Sequence, residues 1–220
     1  MKIQKRPIRR NAFTLVELIT VVSVIVILFG LVVGGYSYAD RSSKRSRTEI
    51  TIKAVRSGLE AYREKFGSYP EPINPDTSVA IADKSYIAGS GACLYQALTG
   101  DGFDQIKGAA GEGSPESNGN LDDAEAVNVV MTDMPRELWI NLDSLYFMAD
   151  GFGHPLRYIK SAPTIAATSG QQPPPATTIN IGTYDIWSYG EDTENINATS
   201  LEASGSDSGN RMDAKWIKNW

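Results

Sequence analysis

Cysteine and histidine are almost absent, with one residue of each among 220. A single cysteine, Cys93, excludes an intrachain disulfide, and we expect it to be a small buried side chain. The single histidine, His154, excludes a histidine-rich metal centre and leaves no obvious Ser-His-acid set. Because His154 lies in a Gly-His-Pro turn, we expect its role to be structural.

Acidic residues are missing from the start of the chain, where five Lys or Arg precede Phe13. The remainder of the chain has 16 basic residues against 26 acidic ones and contains no basic stripe with interleaved aromatics. This distribution argues against nucleic acid as a partner and favours a cation as a ligand.

Long apolar runs are also lacking, except for one that begins at Phe13 and continues to about Gly35. It provides roughly 23 mainly apolar residues, enough for a helix to cross a hydrocarbon core of about 30 Å. The basic leader before it is expected to stay cytoplasmic by the positive-inside rule. Its one charge, Glu17, costs about 2.5 kcal/mol or more of insertion free energy. Either Glu17 pairs with a partner inside an apolar assembly, or its carboxylate stays near the lipid headgroups.

Helical periodicity continues after the apolar run. Apolar residues recur at spacings of three and four through Ile52, Val55, Leu59, Tyr62 and Phe66. No proline occurs between Pro7 and Pro70, so we predict one helix from Phe13 to about Phe66. Gly67 and Pro70 are the expected stop signal.

The rest of the chain predicts short elements separated by long loops. We expect a loop over 71–89 and mobile insertions at 101–120 and 161–178. The acidic side chains in and near the first insertion are expected to be solvated. Short helices are expected at 93–98 and 122–131. Two antiparallel strands are expected on either side of a turn at 150–155, followed by a final strand at 183–189.

The start of the apolar run resembles the prepilin processing motif of the type IV pilin-like family. The residues that carry this resemblance are Ala12-Phe13-Thr14-Leu15-Val16-Glu17-Leu18. It implies that a membrane-embedded prepilin peptidase cuts between Ala12 and Phe13 and N-methylates Phe13. It also implies that the new amino group of Phe13 meets the Glu17 carboxylate of a neighbouring subunit, or of its own chain, in a filament core. One departure is Ala12, where the family most often has Gly.

Three further stretches are similar to the major pseudopilins of type II secretion systems. They are the helix end Gly67-Ser68-Tyr69-Pro70, the turn at 150–155 with Gly151 and Phe152 in place of Pro and Trp, and the last strand with its following loop. The resemblance implies a calcium site formed by Asp192, Asp213 and backbone carbonyls, although the loop is longer than usual and Lys215 and Lys218 lie nearby. The alternative is a flexible acidic tail on which Trp216 and Trp220 simply pack against the domain.

We therefore expect an α+β pilin or pseudopilin fold, with a membrane-spanning helix packed on a small antiparallel sheet domain. The expected segments are a removed leader (1–12), a transmembrane and filament-core helix (13–36) and a periplasmic domain (37–220). The resemblance implies a non-enzymatic subunit of an inner-membrane-anchored pseudopilus for type II protein transport. Its partners would be other copies of itself, minor pseudopilins, the inner-membrane assembly platform and prepilin peptidase. A type IV or competence-type pilin is the alternative, and a membrane-anchored periplasmic enzyme or binding module is a third hypothesis.

Overall fold

The computed structural model describes residues 14–108, 115–132, 134–162, 177–205 and 215–220. It is an α+β structure with one long N-terminal helix and small antiparallel sheets. The elements in chain order are α1 (Leu15–Phe66), β1 (Ser78–Ile81), β2 (Lys84–Ile87), α2 (Gly89–Thr99), a 3₁₀ turn (Arg136–Leu138), β3 (Trp139–Leu142), β4 (Leu145–Met148), β5 (Arg157–Lys160), β6 (Tyr184–Ser188), α3 (Ser200–Gly205) and β7 (Ile217–Lys218).

Helix α1 ends where the sequence predicts. Gly67, with φ of +81°, adopts the left-handed conformation that commonly terminates helices, and its N–H donates to the Arg63 carbonyl at 2.8 Å. The chain divides into two compact units, Met1–Ser42 and Ser43–Trp220. In the second unit, one face of α1 is buried through Thr48, Ile52, Val55, Leu59 and Tyr62. The predicted apolar seam is therefore confirmed from Ile52 to Tyr62, whereas its last predicted member, Phe66, is 41% exposed.

Helix α2 is buried along its whole length and packs against β4 and β5. It is longer than the six residues predicted, because its first turn is formed by small residues that carry no periodic signal. Gly91 permits this close packing, since an added Cβ would lie 3.1 Å from the Leu156 carbonyl oxygen. The helix stops at Gly100, whose φ is +81°.

The two strands predicted around residue 150 are confirmed as β4 and β5. The Leu156 N–H donates to the Met148 carbonyl at 2.9 Å, and Ala149 forms an antiparallel bridge with Pro155. Strand β3 pairs with β4, and β5, β6 and β7 form an antiparallel sheet in that order. All five residues of β6 are buried.

Several sequence predictions for the connecting regions are wrong. Part of the expected loop over 71–89 is the β1–β2 hairpin. The expected helix at 122–131 is a series of turns, because the N–H groups of Val130 and Met131 donate to the Leu98 carbonyl instead of continuing a helix. Strands β3 and β7 and helix α3 are additional elements.

Candidate functional site

The N-terminal part of α1 presents apolar side chains on all sides. Seventeen large hydrophobic residues between Leu15 and Tyr38 are at least 49% exposed. The most apolar 18-residue window of the helix has a mean hydropathy of 2.9, and none of that window is buried. The helix is therefore long enough and apolar enough to span a membrane.

Hydroxyl groups in this apolar stretch bond to the helix itself. Thr20 donates to the Glu17 carbonyl at 2.9 Å, Ser23 donates to the Ile19 carbonyl at 2.8 Å, and Ser37 donates to the Val33 carbonyl at 3.2 Å. Such bonds satisfy polar side chains without water or a partner chain. Their environment is therefore compatible with lipid or with neighbouring apolar helices.

Glu17 is the one charged residue between Thr14 and Tyr38. Its backbone N–H donates to the Thr14 hydroxyl at 3.2 Å, which places Thr14 at the helix cap and Glu17 three residues later. A carboxylate in the first turn interacts favourably with the helix dipole. Within the part of the chain that the structure describes, its carboxylate has no hydrogen-bond or ion-pair partner. The predicted cleavage and methylation residues, Ala12 and Phe13, lie outside the described residues.

The Asp192 carboxylate organises the loop that follows β6. Its Oδ1 accepts from the N–H groups of Glu194 at 2.9 Å and Asn195 at 3.2 Å. Its Oδ2 accepts from the Asn195 amide at 2.9 Å and from the Trp216 indole N–H at 3.1 Å. Burial raises the pKa of Asp192, but these hydrogen bonds together outweigh burial and hold the pKa below its usual value.

The four hydrogen bonds bear directly on the calcium prediction. A carboxylate has about four lone-pair positions, so Asp192 offers no free one to a cation in this conformation. Among the described residues, no group of three or more His, Cys, Asp or Glu is placed to hold a metal ion. These residues alone therefore do not fit a calcium site, and the second predicted ligand, Asp213, lies outside them. The calcium site stays a prediction.

The C-terminal segment is bound to the domain by direct contacts. Trp216 stacks on Trp187 with ring centroids 6.0 Å apart and meets Tyr189 edge-on at 5.0 Å. The Asn219 side chain accepts from the Ile186 N–H at 3.0 Å and donates to the Tyr184 carbonyl at 3.1 Å. The hydrogen bond between Asp192 and Trp216 therefore links the two ends of the loop.

Other buried acids were missed because acidic residues in glycine-rich loops are usually solvated. Asp101 is 2% exposed and accepts from the Tyr95 hydroxyl and from the N–H groups of Asn118 and Gly119. The expectation that it is solvated is therefore wrong. Glu125 is 1% exposed and accepts from the Gly102 and Asp122 N–H groups. Asp101 lies between Gly100 and Gly102, and this is the sequence signal that could have identified it, whereas Glu125 has no neighbouring glycine.

The single histidine and cysteine have structural surroundings. The His154 ring stacks on Tyr86 with centroids 4.7 Å apart, and the backbone N–H of His154 donates to the Asp150 carboxylate at 2.8 Å. Asp150 also accepts from the Ser188 hydroxyl at 2.5 Å, so this group of residues closes the β4–β5 turn. Cys93 is fully buried, and burial raises the pKa of its thiol.

Comparison with protein-family models, curated proteins and solved structures finds no match to this chain.

Proposed function

We propose that this chain is the structural subunit of a periplasmic pseudopilus that drives protein export through a type II secretion system. Its N-terminal helix is anchored in the inner membrane and later forms the filament core, while residues 37–220 form the periplasmic domain with a pilin-type fold. Prepilin peptidase removes residues 1–12 and methylates Phe13. The subunit polymerises with copies of itself, with minor pseudopilins and with the assembly platform.

The observation that carries this proposal is the exposed apolar stretch of α1 with its lone carboxylate. An apolar surface of this size needs lipid or other apolar helices around it. Glu17 lies near the start of that stretch, where its carboxylate could meet the amino group of a processed Phe13. That Phe13 belongs either to the same chain or to a neighbouring subunit. In apolar surroundings an ion pair costs much less than two isolated charges, so such pairing would favour one register between subunits.

The pseudopilus is favoured over a surface pilus by how the C-terminal region is held. Many type IV pilins close this region with a disulfide, which a chain with only Cys93 cannot form. Here the Asp192–Trp216 hydrogen bond and the β6–β7 pairing hold the corresponding segment.

The mature N-terminus tests the processing part of the proposal. The full chain is expressed with and without an active prepilin peptidase, and intact mass and N-terminal fragments are measured. The expected product begins at Phe13 and carries one added methyl group. A chain that keeps residues 1–12 in the presence of the active peptidase, or that is cut after residue 12 by an unrelated signal peptidase, would contradict it.

Calcium binding is tested separately by titrating calcium into the full chain in detergent micelles. If the loop rearranges so that Asp192 and Asp213 hold the ion, calcium should release or absorb heat and raise the melting temperature. An Asp192→Asn variant should lose both effects. Absence of heat and of a melting shift in the unmodified chain removes calcium from the proposal without affecting the assembly argument.

A further inference from the structure

The apolar stretch of α1 is followed by two exposed tyrosines. The 21 residues from Leu15 to Gly35 rise about 31 Å as a helix, which matches the thickness of a hydrocarbon core. Tyr36 and Tyr38 come next and are 74% and 76% exposed. Tyrosine has an apolar ring and a polar hydroxyl, so it concentrates where the hydrocarbon core meets the headgroups. The two tyrosines therefore indicate where a membrane-spanning α1 leaves the hydrocarbon.

Positive charge is concentrated just after these tyrosines. The seven residues 41–47, here called the basic segment, contain no acid and include Arg41, Lys44, Arg45 and Arg47. Among residues 48–220, by contrast, acidic residues outnumber basic ones by 24 to 12. The basic segment is therefore opposite in charge to the chain that follows it.

The nearest acids do not neutralise the basic segment. Asp40 and Glu49 flank it and leave two positive charges in excess. Arg45 pairs with Glu49 at 3.7 Å, but both side chains are about half exposed, so the pair is weak. Arg45 also donates to the Lys215 carbonyl at 3.4 Å, a neutral acceptor that leaves its charge in place. Arg47 is exposed and forms no ion pair with any residue that the structure describes.

The basic segment is close enough along the chain to reach lipid headgroups. Arg41 follows Tyr38 by three residues, about 4.5 Å of helix rise, and the headgroup layer is about 5–8 Å thick. Lys44, Arg45 and Arg47 follow within six further residues. Long basic side chains can extend back toward the bilayer, and attraction to a charged surface acts over about 8 Å at physiological ionic strength. All four charges therefore lie within range of an anionic bilayer surface.

We propose that the basic segment binds anionic phospholipid headgroups in the leaflet from which α1 emerges, with phosphate oxygens accepting from its arginines and lysine. A lipid surface is favoured over an acidic protein surface because Tyr36 and Tyr38 place the segment beside the headgroups. The inference rests on the proposed membrane anchoring of α1. It uses neither Glu17 nor the predicted processing motif.

The test compares phosphatidylglycerol with phosphatidylcholine, which differ in headgroup charge and are used with the same acyl chains. The full chain in neutral detergent micelles is mixed with equal amounts of the two lipids, and native mass spectrometry counts the lipids bound. The unmodified chain should bind phosphatidylglycerol in about 10-fold or greater excess, because each basic residue near the surface adds to the attraction.

Two double variants separate the basic segment from the rest of the chain. Arg41→Gln/Arg47→Gln should lower the phosphatidylglycerol excess about 5-fold or more. Lys53→Gln/Lys65→Gln removes the same charge from exposed positions farther along α1 and should retain the excess. The basic leader is identical in every variant, so the difference between them reports on the basic segment alone.

The proposal is overturned if the two lipids bind equally, if Arg41→Gln/Arg47→Gln keeps the excess, or if the control variant loses it to the same extent. Circular dichroism melting checks that each variant is folded. If Arg41→Gln/Arg47→Gln fails to fold, Arg47→Gln alone should lower the excess about 2-fold or more, and an unchanged excess overturns the proposal.

Alkaline extraction of membranes distinguishes this inference from the function on which it rests. A chain that stays in the membrane but shows no lipid preference refutes the lipid inference alone. A chain that is extracted into solution refutes the proposed anchoring together with it.

Discussion

At the scale of single residues, two buried aspartates show how local donors decide the behaviour of a carboxylate. Burial raises the pKa of Asp150, and hydrogen bonds from Ser188 and from the 152–154 backbone only partly offset it. At Asp192 the balance is reversed, because its N–H donors outweigh burial. The two carboxylates therefore contribute to pH dependence with opposite sign.

For Asp192 we predict a contribution to stability that is lost in acid. Its folded-state pKa lies below the unfolded value of about 3.9, so the contribution is fully present above that pH and disappears as the pH falls through the folded-state pKa. Asp192→Asn should cost about 1 kcal/mol or more at pH 7 through weakened hydrogen bonds. It should also reduce the loss of stability that occurs as the pH falls below about 3.9.

The measurement for Asp192 is chemical denaturation of the full chain in micelles at several pH values. Asp123→Asn is the matched control, because Asp123 is exposed and the same change in charge is made. Equal pH slopes for Asp192→Asn and the unmodified chain would contradict the prediction.

A second prediction at this scale concerns the β1–β2 turn. Ala82 has φ of +45° and Asp83 has φ of +66°, a conformation that type I′ hairpin turns require and that Asn and Gly adopt most readily. Ala82→Asn should therefore raise the free energy of unfolding by about 0.5–1 kcal/mol. Ala61→Asn, at an exposed position inside α1, should instead lower it. A lower melting temperature for Ala82→Asn would show that the turn is not strained.

At the scale of elements, the β4–β5 turn is seated on α1 through Gly151. Its N–H donates to the Thr48 hydroxyl at 2.9 Å, and a Cβ at this position would lie 2.3 Å from the Lys44 carbonyl oxygen. Gly151→Ala should destabilise the protein by about 2 kcal/mol or more, because the backbone of α1 or of the turn must move.

Gly153→Ala provides the comparison for Gly151→Ala. Gly153 has open space around it but φ of +86°, so alanine there should cost only about 1 kcal/mol of conformational strain. Both variants are compared by thermal and chemical denaturation. A cost at Gly151 no larger than that at Gly153 would mean that the contact with α1 relaxes easily.

The long helix and the strands that are bounded by glycine- or proline-containing turns were predictable from the sequence. Helix α1 has sustained periodicity and a Gly-x-x-Pro end, while β4 and β5 lie on either side of a glycine-rich turn. Strand β7 has two residues, and the β1–β2 turn uses Ala82 and Asp83 instead of Asn-Gly. Such elements form through tertiary pairing and packing, so local sequence carries little sign of them.

At the scale of the whole molecule, the chain combines an apolar helical segment with a folded domain that has its own core. Glu17 could be selected from sequence because a charge in an apolar run is conspicuous. The contacts of Asp192 could not, because its partner Trp216 is 24 residues away and their meeting depends on β6 and β7 pairing. The sequence thus predicts that Asp192 binds calcium, whereas in the structure the same carboxylate accepts hydrogen bonds, including one from Trp216.

We propose that both the apolar helical segment and the folded domain contribute to filament assembly. Glu17 lies in the unit Met1–Ser42, whereas the buried core belongs to Ser43–Trp220. Replacing Glu17 should therefore change subunit incorporation without changing the fold of the domain. Glu49→Ala is a suitable control, since it removes an exposed carboxylate of α1 whose pair with Arg45 is solvent-exposed.

The most direct measurement is the fraction of each variant that enters filaments in cells with the native assembly machinery. Membrane-bound and filament fractions of the unmodified chain, Glu17→Ala and Glu49→Ala are compared at equal expression. We predict that Glu17→Ala is processed and membrane-bound with a folded domain, yet its amount in filaments falls about 10-fold or more, as loss of a buried ion pair implies. Glu17→Ala in filaments at the level of the unmodified chain would contradict the proposed role of Glu17 in assembly.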